Sequence, residues 1–292
     1  MKKSDFIKAA MLLFTLSTVV AYAGDGQIDI LPNGSETFTI TESGSYVLTG
    51  NVTMSADVDC ISLGASSITI DLNGHVVNGT GSGDVSFINA ETYHHIKILN
   101  GSITGFGGNG LRLGDYAVIE NVVISGNKKS GIYVGEGAII RNVQAVDNME
   151  NGIKCGKSSL VEKCLAKGNN FAGDTSGIYV GNISIVRNCV AEDNSYTGAL
   201  NKKVYGIRGG DDCLIEKNVA KGNENNCSVG GSGTYGISAS ARCLIKDNNA
   251  SYNVGNTAAS GGGIYAGNSS IVTGNTCTYN SAAGDTGNGR GI

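Results

Sequence analysis

Seven side chains that could do chemistry fall at one offset: Arg112, Tyr133, Lys154, Tyr179, Arg208, Ser238 and Tyr265 each directly follow a glycine–aliphatic pair. In a strand whose aliphatic residue faces inward, the next residue faces out. Cations alternating with phenols suit an acidic polysaccharide, because a phenol face stacks on a sugar ring and a Lys or Arg meets a carboxylate. Arg112, Tyr133 and Tyr265 are therefore candidate substrate-binding residues around a central Lys154, Tyr179 and Arg208. The alternative is a solvated outer face on which Tyr and Lys merely suit strands.

Other reactive groups point less far. Asp174, Asp211 and Asp212 are calcium candidates, but no ligand set around them is complete, so no cofactor is expected beyond a possible calcium ion. His75 sits in an Asn73-Gly74-His75 turn. His94 and His95 would face opposite sides of a strand, which disfavours joint metal binding. The eight cysteines fit no paired C-x-x-C zinc spacing. Cys164 and Cys189, like Cys213 and Cys243, share a repeat column, where either disulfides or buried thiols would fit, buried thiols being preferred.

The elements that position these residues follow from a repeat. Units starting at Gly110, Gly131, Gly152, Gly177, Gly206, Gly236 and Gly263 align without gaps over 18 residues, as in GIYVGEGAIIRNVQAVDN and GIYVGNISIVRNCVAEDN. Each begins with Gly, ends with Asn and carries aliphatic residues at positions two, nine and ten. The unit is too short for a helical hairpin repeat, and its β-branched runs favour strands. One rung alone leaves its apolar face exposed, whereas stacked rungs about 4.8 Å apart bury it, like residue on like residue. Asn127, Asn148, Asn169, Asn194, Asn223, Asn253 and Asn280 then form a ladder of amide hydrogen bonds. Gly and Asn at fixed offsets are expected to mark corners, since both tolerate left-handed backbone angles. Glu120, Arg141, Glu162, Arg187, Glu216 and Lys246 alternate in sign along another column, with unlike charges as neighbours. Position nine (Val118, Ile139, Leu160, Ile185, Leu214, Leu244, Ile271) leaves two readings open. It is either an exposed aliphatic stripe or a bulge turned inward.

Insertions enter after the ladder Asn, at Phe171–Ser176, Ser195–Tyr205, Glu224–Tyr235, Val254–Gly262 and Ser281–Arg290. All project from one corner, where they either form a wall beside a binding face or reflect the tolerance of corners for insertion.

Met1-Lys2-Lys3, an apolar run from Ala9 to Val20 and Ala21-Tyr22-Ala23 read as a secretory signal peptide over residues 1–23, too short for a comfortable membrane span. Residues 24–56 do not fit the repeat and are expected to be N-terminal cap strands. Residues 57–292 form the solenoid, which stops one step into an eighth unit at Gly291-Ile292 and so is expected to be truncated or covered there by an oligomer or a further C-terminal segment. Forty-five glycines, a single proline and a net charge of −4 fit a turn-rich chain. The absence of basic clusters argues against nucleic acid. The expected location is secreted, periplasmic or on the cell surface.

The segment SITIDLNGH, together with the repeated Gly-Ile…Asn units, resembles the pectate-lyase-like superfamily, in particular its NosD-like repeat members. The resemblance covers nearly the whole chain after the leader. It implies an all-β fold, a right-handed parallel β-helix. In polysaccharide lyases of this superfamily a Lys or Arg on such a strand is the base and another neutralises the uronate carboxylate, roles that would fall to Lys154 and Arg208 with Tyr179 between them. Asp211-Asp212 is similar to the paired Asp of polygalacturonase-type hydrolases, but it sits at a variable corner and the other motifs of that group are absent. The superfamily spans several functions. The expected one is binding of extracellular polysaccharide or a cell surface, leaning away from catalysis. The alternatives are a lyase or epimerase on acidic glycans, or the stalk of an adhesin or passenger protein.

Overall fold

A computed structural model of the chain describes residues 26–171, 175–198, 202–226, 233–256 and 261–283. The expected leader, Asp174, Cys227 and Gly291-Ile292 lie outside these residues. Every regular element described is a β-strand, and the strands pair in parallel between successive rungs as a β-solenoid. Three sheets run along the stack. The largest has nineteen strands among the described residues and covers two consecutive sides of each rung, as with Ile139–Arg141 and Gln144–Val146. The second has ten, including Ile132–Val134 and Ile153–Cys155. The third has five, from Asn170–Phe171 to Ser281–Ala283.

The repeat register is the one the columns demand. Ile139 pairs with Leu160, Ile185 with Leu214, and Leu244 with Ile271. Positions two and ten fill the core: Ile132, Ile153, Ile178, Ile207 and Ile237, with Ile140, Val161, Val186, Ile215 and Ile245, are wholly buried. Position nine faces outward and is half-buried in the stack, rising to 64% exposure at Ile271. Of the two readings left open there, the outward stripe holds.

The strands of the segment expected to form the N-terminal cap pair in parallel with these sheets. Ile28–Ile30 pairs with Gly44–Leu48, Phe38–Ile40 with Ile61–Leu63, and Val52–Thr53 with Val76–Asn78. It lacks the Gly-Ile…Asn signature. Alternation nevertheless places Ile30, Ile40, Leu48 and Val52 in the core, and alternation is what a sheet selects.

The corners also differ from expectation. The left-handed residues are at positions seven, twelve and seventeen, for instance Ser158, Lys163 and Gly168 with φ of 57°, 55° and 62°. The repeat's first Gly and last Asn are not among them. That Gly is fixed by close approach instead: a Cβ on Gly177 would lie 2.6 Å from Asn194 Nδ2 and 2.8 Å from Gly206 O. Each left-handed residue turns the next one inward, and those inward columns carry the polar interior.

The ladder of terminal Asn residues is continuous. Asn127 Nδ2 donates to Asn148 Oδ1 at 2.8 Å, and the series continues through Asn169, Asn194, Asn223 and Asn253 to Asn280 at 2.8 to 3.0 Å. The second amide hydrogen serves the backbone, as from Asn194 to Ala166 O at 3.0 Å. A second ladder was not foreseen. At position thirteen the column runs Val122, Val143, Cys164, Cys189, Asn218, Asn248, Asn275. Cys189 Sγ accepts the Cys164 N–H at 3.5 Å, and Asn218 Oδ1 accepts that of Cys189 at 2.9 Å. In a separate column, at position eight, Cys243 Sγ accepts the Cys213 N–H at 3.3 Å. All four sulfurs are buried free thiols, and burial pushes that of Cys213 up to about 11.

Candidate functional site

The second sheet brings all seven candidate residues into one outward line. Arg112 pairs with Tyr133, Tyr133 with Lys154, Lys154 with Tyr179, Tyr179 with Arg208, Arg208 with Ser238 and Ser238 with Tyr265. The inward Ile at position two of each rung from Ile132 onward fixes this orientation.

Within the stripe the cations lie on rings. Arg112 Cζ is 5.5 Å and Lys154 Nζ 4.7 Å from the centre of the Tyr133 ring. Arg208 Cζ is 5.4 Å from the Tyr179 ring and 4.9 Å from that of Tyr205. Tyr205 stacks on Tyr235 at 6.1 Å with planes 16° apart, and Tyr235 meets Tyr265 at 5.5 Å and 52°. Tyr133, with two cations over it, holds charge in place more than it offers a bare face. Tyr265, 51% exposed, keeps an open ring.

Tyr205 and Tyr235 were absent from the expected site because they end two insertions. Their signal is the repeated Tyr-Gly-Ile of residues 205–207 and 235–237. The insertions themselves are more than loops. From Asn169 onward, the chain after each ladder Asn first adds a strand to the third sheet, pairing Asn170 with Ser195, Ser195 with Glu224 and Glu224 with Val254. It then returns as an extension of the second sheet, as in Val204–Gly209 and Thr234–Ala239. Tyr196 and Val204 form a small buried cluster within this outgrowth. The expected wall thus has a sheet for its frame, bordering the Arg208 half of the stripe.

The Lys154 half opens instead on a groove of about 320 Å³. It is lined by Tyr133, Lys154 and Tyr179, by Gly114, Gly135 and Gly156, and by Glu91 and Asp115. These glycines are required by the backbone of the adjacent rung: a Cβ on Gly156 would be 2.7 Å from Gly135 C.

Charge is distributed unevenly over the stripe. Arg112 Nη2 forms an ion pair with Glu91 at 2.8 Å. Among the described residues, neither Lys154 nor Arg208 has a carboxylate at ion-pair distance; both are held by rings. Lys and Arg at other columns show the contrast: Arg141 bridges Glu120 and Glu162 at 3.3 Å each, Arg187 reaches Glu162 at 2.9 Å, and Lys246 reaches Glu216 at 3.0 Å. Burial raises the Glu162 carboxyl, but Arg187 and Arg141 more than offset this and hold it below the ordinary carboxylate value.

The calcium candidates Asp211 and Asp212 are engaged elsewhere. Arg242 Nε binds Asp212 at 2.7 Å and its Nη2 reaches Asp211 at 3.4 Å, while Asp211 Oδ1 also accepts the Ala241 N–H at 3.0 Å. The guanidinium lowers the Asp212 carboxyl. A cation there would have to displace it. Among the described residues no group of three or more His, Cys, Asp and Glu is placed to hold a metal ion. His94 and His95 lie outside any strand. The first is 3.9 Å from Asp115, and the second stacks on Tyr116 at 5.0 Å. No helix among the described residues is long and apolar enough to cross a membrane.

No protein-family model and no curated protein matches the chain. Among solved structures it is similar to the A-module of the Azotobacter vinelandii mannuronan C-5 epimerase AlgE4 (12% identity, 89% of this chain and 88% of that one, TM-score 0.44). It is also similar to the Streptococcus pneumoniae surface protein and adhesin PfbA (13%, 89% and 91%, TM-score 0.41) and to the pectate lyase Pel9A (16%, 82% and 57%, TM-score 0.40). Likeness at this level describes a stacked parallel solenoid, so any functional reading rests on the chain's own residues.

Proposed function

We propose that this chain is an exported protein that binds acidic polysaccharide along the outer face of its second sheet. The observation that carries the reading is the state of Lys154 and Arg208. Two cations on the outer face of the sheet, resting on phenol rings and with no carboxylate at ion-pair distance among the described residues, are set to receive an anion. Arg208 lies over the Tyr179 and Tyr205 rings, and the edge of a guanidinium can take a carboxylate through two parallel N–H···O bonds. Tyr179 and the exposed ring of Tyr265 supply the apolar faces on which sugar rings stack. The outgrowth carrying Tyr205 and Tyr235 borders the same face.

Calorimetric titration with pectate, alginate and glycosaminoglycans tests this directly. Binding is expected for acidic chains and absent for neutral ones, and it should weaken as salt rises. Lys154→Ala with Arg208→Ala should lower affinity by about tenfold or more; unchanged affinity in that double variant would overturn the reading. The same mixtures, followed by ultraviolet absorbance, report catalysis. Unsaturated product that disappears with Lys154→Ala would make Lys154 the base of a lyase rather than part of a binding face.

A further inference from the structure

The stripe alternates strictly over five rungs: Arg112, Tyr133, Lys154, Tyr179, Arg208. Cations therefore recur every second rung, roughly 10 Å apart at the usual strand spacing. The phenols between them are spacers. Tyr133 takes cations from both neighbouring rungs, and Tyr179 takes that of Arg208. A sugar residue in an extended glycan advances by about one rung, so a chain lying along the solenoid axis meets a cation at alternate sugars and a ring at those between. A carboxylate set against a ring would lose its water and gain no partner. A neutral sugar there would lose nothing and gain stacking contact.

Building on the proposed function, we infer that the spacing of these cations, rather than their number, selects the ligand: an acidic glycan that presents one carboxylate to the protein for every two sugars, with neighbouring carboxylates over Lys154 and Arg208. A polymer that alternates uronate with a neutral sugar meets this requirement with every residue in place. In a homopolyuronate, only alternate carboxylates are used, and the rest contribute little.

The test uses the full chain and a composition-preserving exchange, Lys154→Tyr with Tyr179→Lys. Both residue types already stand in this column, and net charge is unchanged, but the exchange puts cations on adjacent rungs. Binding is measured with length-matched oligosaccharides of three kinds: alternating uronate and neutral sugar, all uronate, and all neutral. For the parent chain the first should bind at least as tightly as the second, despite half the charge. The exchange should weaken the first by about tenfold or more. Unchanged affinity in the exchanged protein, or a parent preference of more than about tenfold for the all-uronate chain, would overturn the spacing rule while leaving acidic-glycan binding intact. A parent chain that binds no acidic oligosaccharide would overturn both. Thermal melting of the exchanged protein, expected to match the parent, separates lost recognition from lost fold.

Discussion

Two outward columns on this solenoid carry cations on alternate rungs, and they treat charge in opposite ways. On the large sheet, Glu120, Arg141, Glu162 and Arg187 close on one another through ion pairs of 2.9 to 3.3 Å. On the second sheet, Lys154 and Arg208 rest on rings and have no carboxylate at ion-pair distance among the described residues. Backbone and spacing are shared. What differs is the residue set one rung away, carboxylate in one column and phenol in the other. A carboxylate neighbour satisfies a cation within the protein. A phenol neighbour holds it in place and leaves its charge available to something outside.

The largest expected effect removes the frame that both columns share. Asn194→Ala would leave the Asn169 amide, the Asn169 N–H and Ala166 O without their buried partner. At roughly 1–3 kcal/mol for each orphaned group, stability should fall by about 3 kcal/mol or more, measured by denaturant unfolding. A loss under about 1 kcal/mol would mean the ladder is not what fixes the rungs.

Next comes the pair of variants that sets the columns apart. Lys154→Ala with Arg208→Ala should lower glycan affinity by about tenfold or more with little change in melting temperature. Glu162→Gln should do the reverse, destabilising the protein with glycan affinity unchanged. Its pH dependence has a definite sign. The folded pKa of Glu162 lies below the ordinary carboxylate value, so its contribution is complete above that value and is lost as pH falls through the folded pKa. The stability gap between parent and Glu162→Gln should therefore be open at neutral pH and close in acid. A gap that widens in acid would show that Arg141 and Arg187 do not act through this carboxylate.

How much of this was legible beforehand depended on whether a residue's role repeats. The Asn ladder, the alternating charges and the register of the seven candidate residues repeat rung after rung in identity or sign, and each is where the sequence predicts it. The position-thirteen ladder was hidden because its identity drifts from Val122 through Cys164 to Asn275; only the inward direction is constant. Tyr205 and Tyr235 were hidden inside insertions, whose strands appear only once their neighbours pair with them. The left-handed corners were misplaced because Tyr116, Ile183 and Arg242 also adopt positive φ there, and such side chains do not signal a turn.

The smallest expected effect concerns the aliphatic stripe at position nine. Leu214→Thr, outward and half-buried, should cost about 1 kcal/mol or less in the isolated chain. A markedly larger loss that grows with protein concentration would reveal a partner lying over the stripe.

The alternating charges on the large sheet have a further consequence, for how the chain winds rather than for what it binds. The Asn column is uniform, so a rung skipped during folding would still find amide on amide. In the charged column a single skip sets Glu120 against Glu162 or Arg141 against Arg187, and the error is felt at once as repulsion. Only skips of two restore attraction. The surface column thus acts as a parity check on register, disfavouring a one-rung miscount that the uniform Asn column would accept.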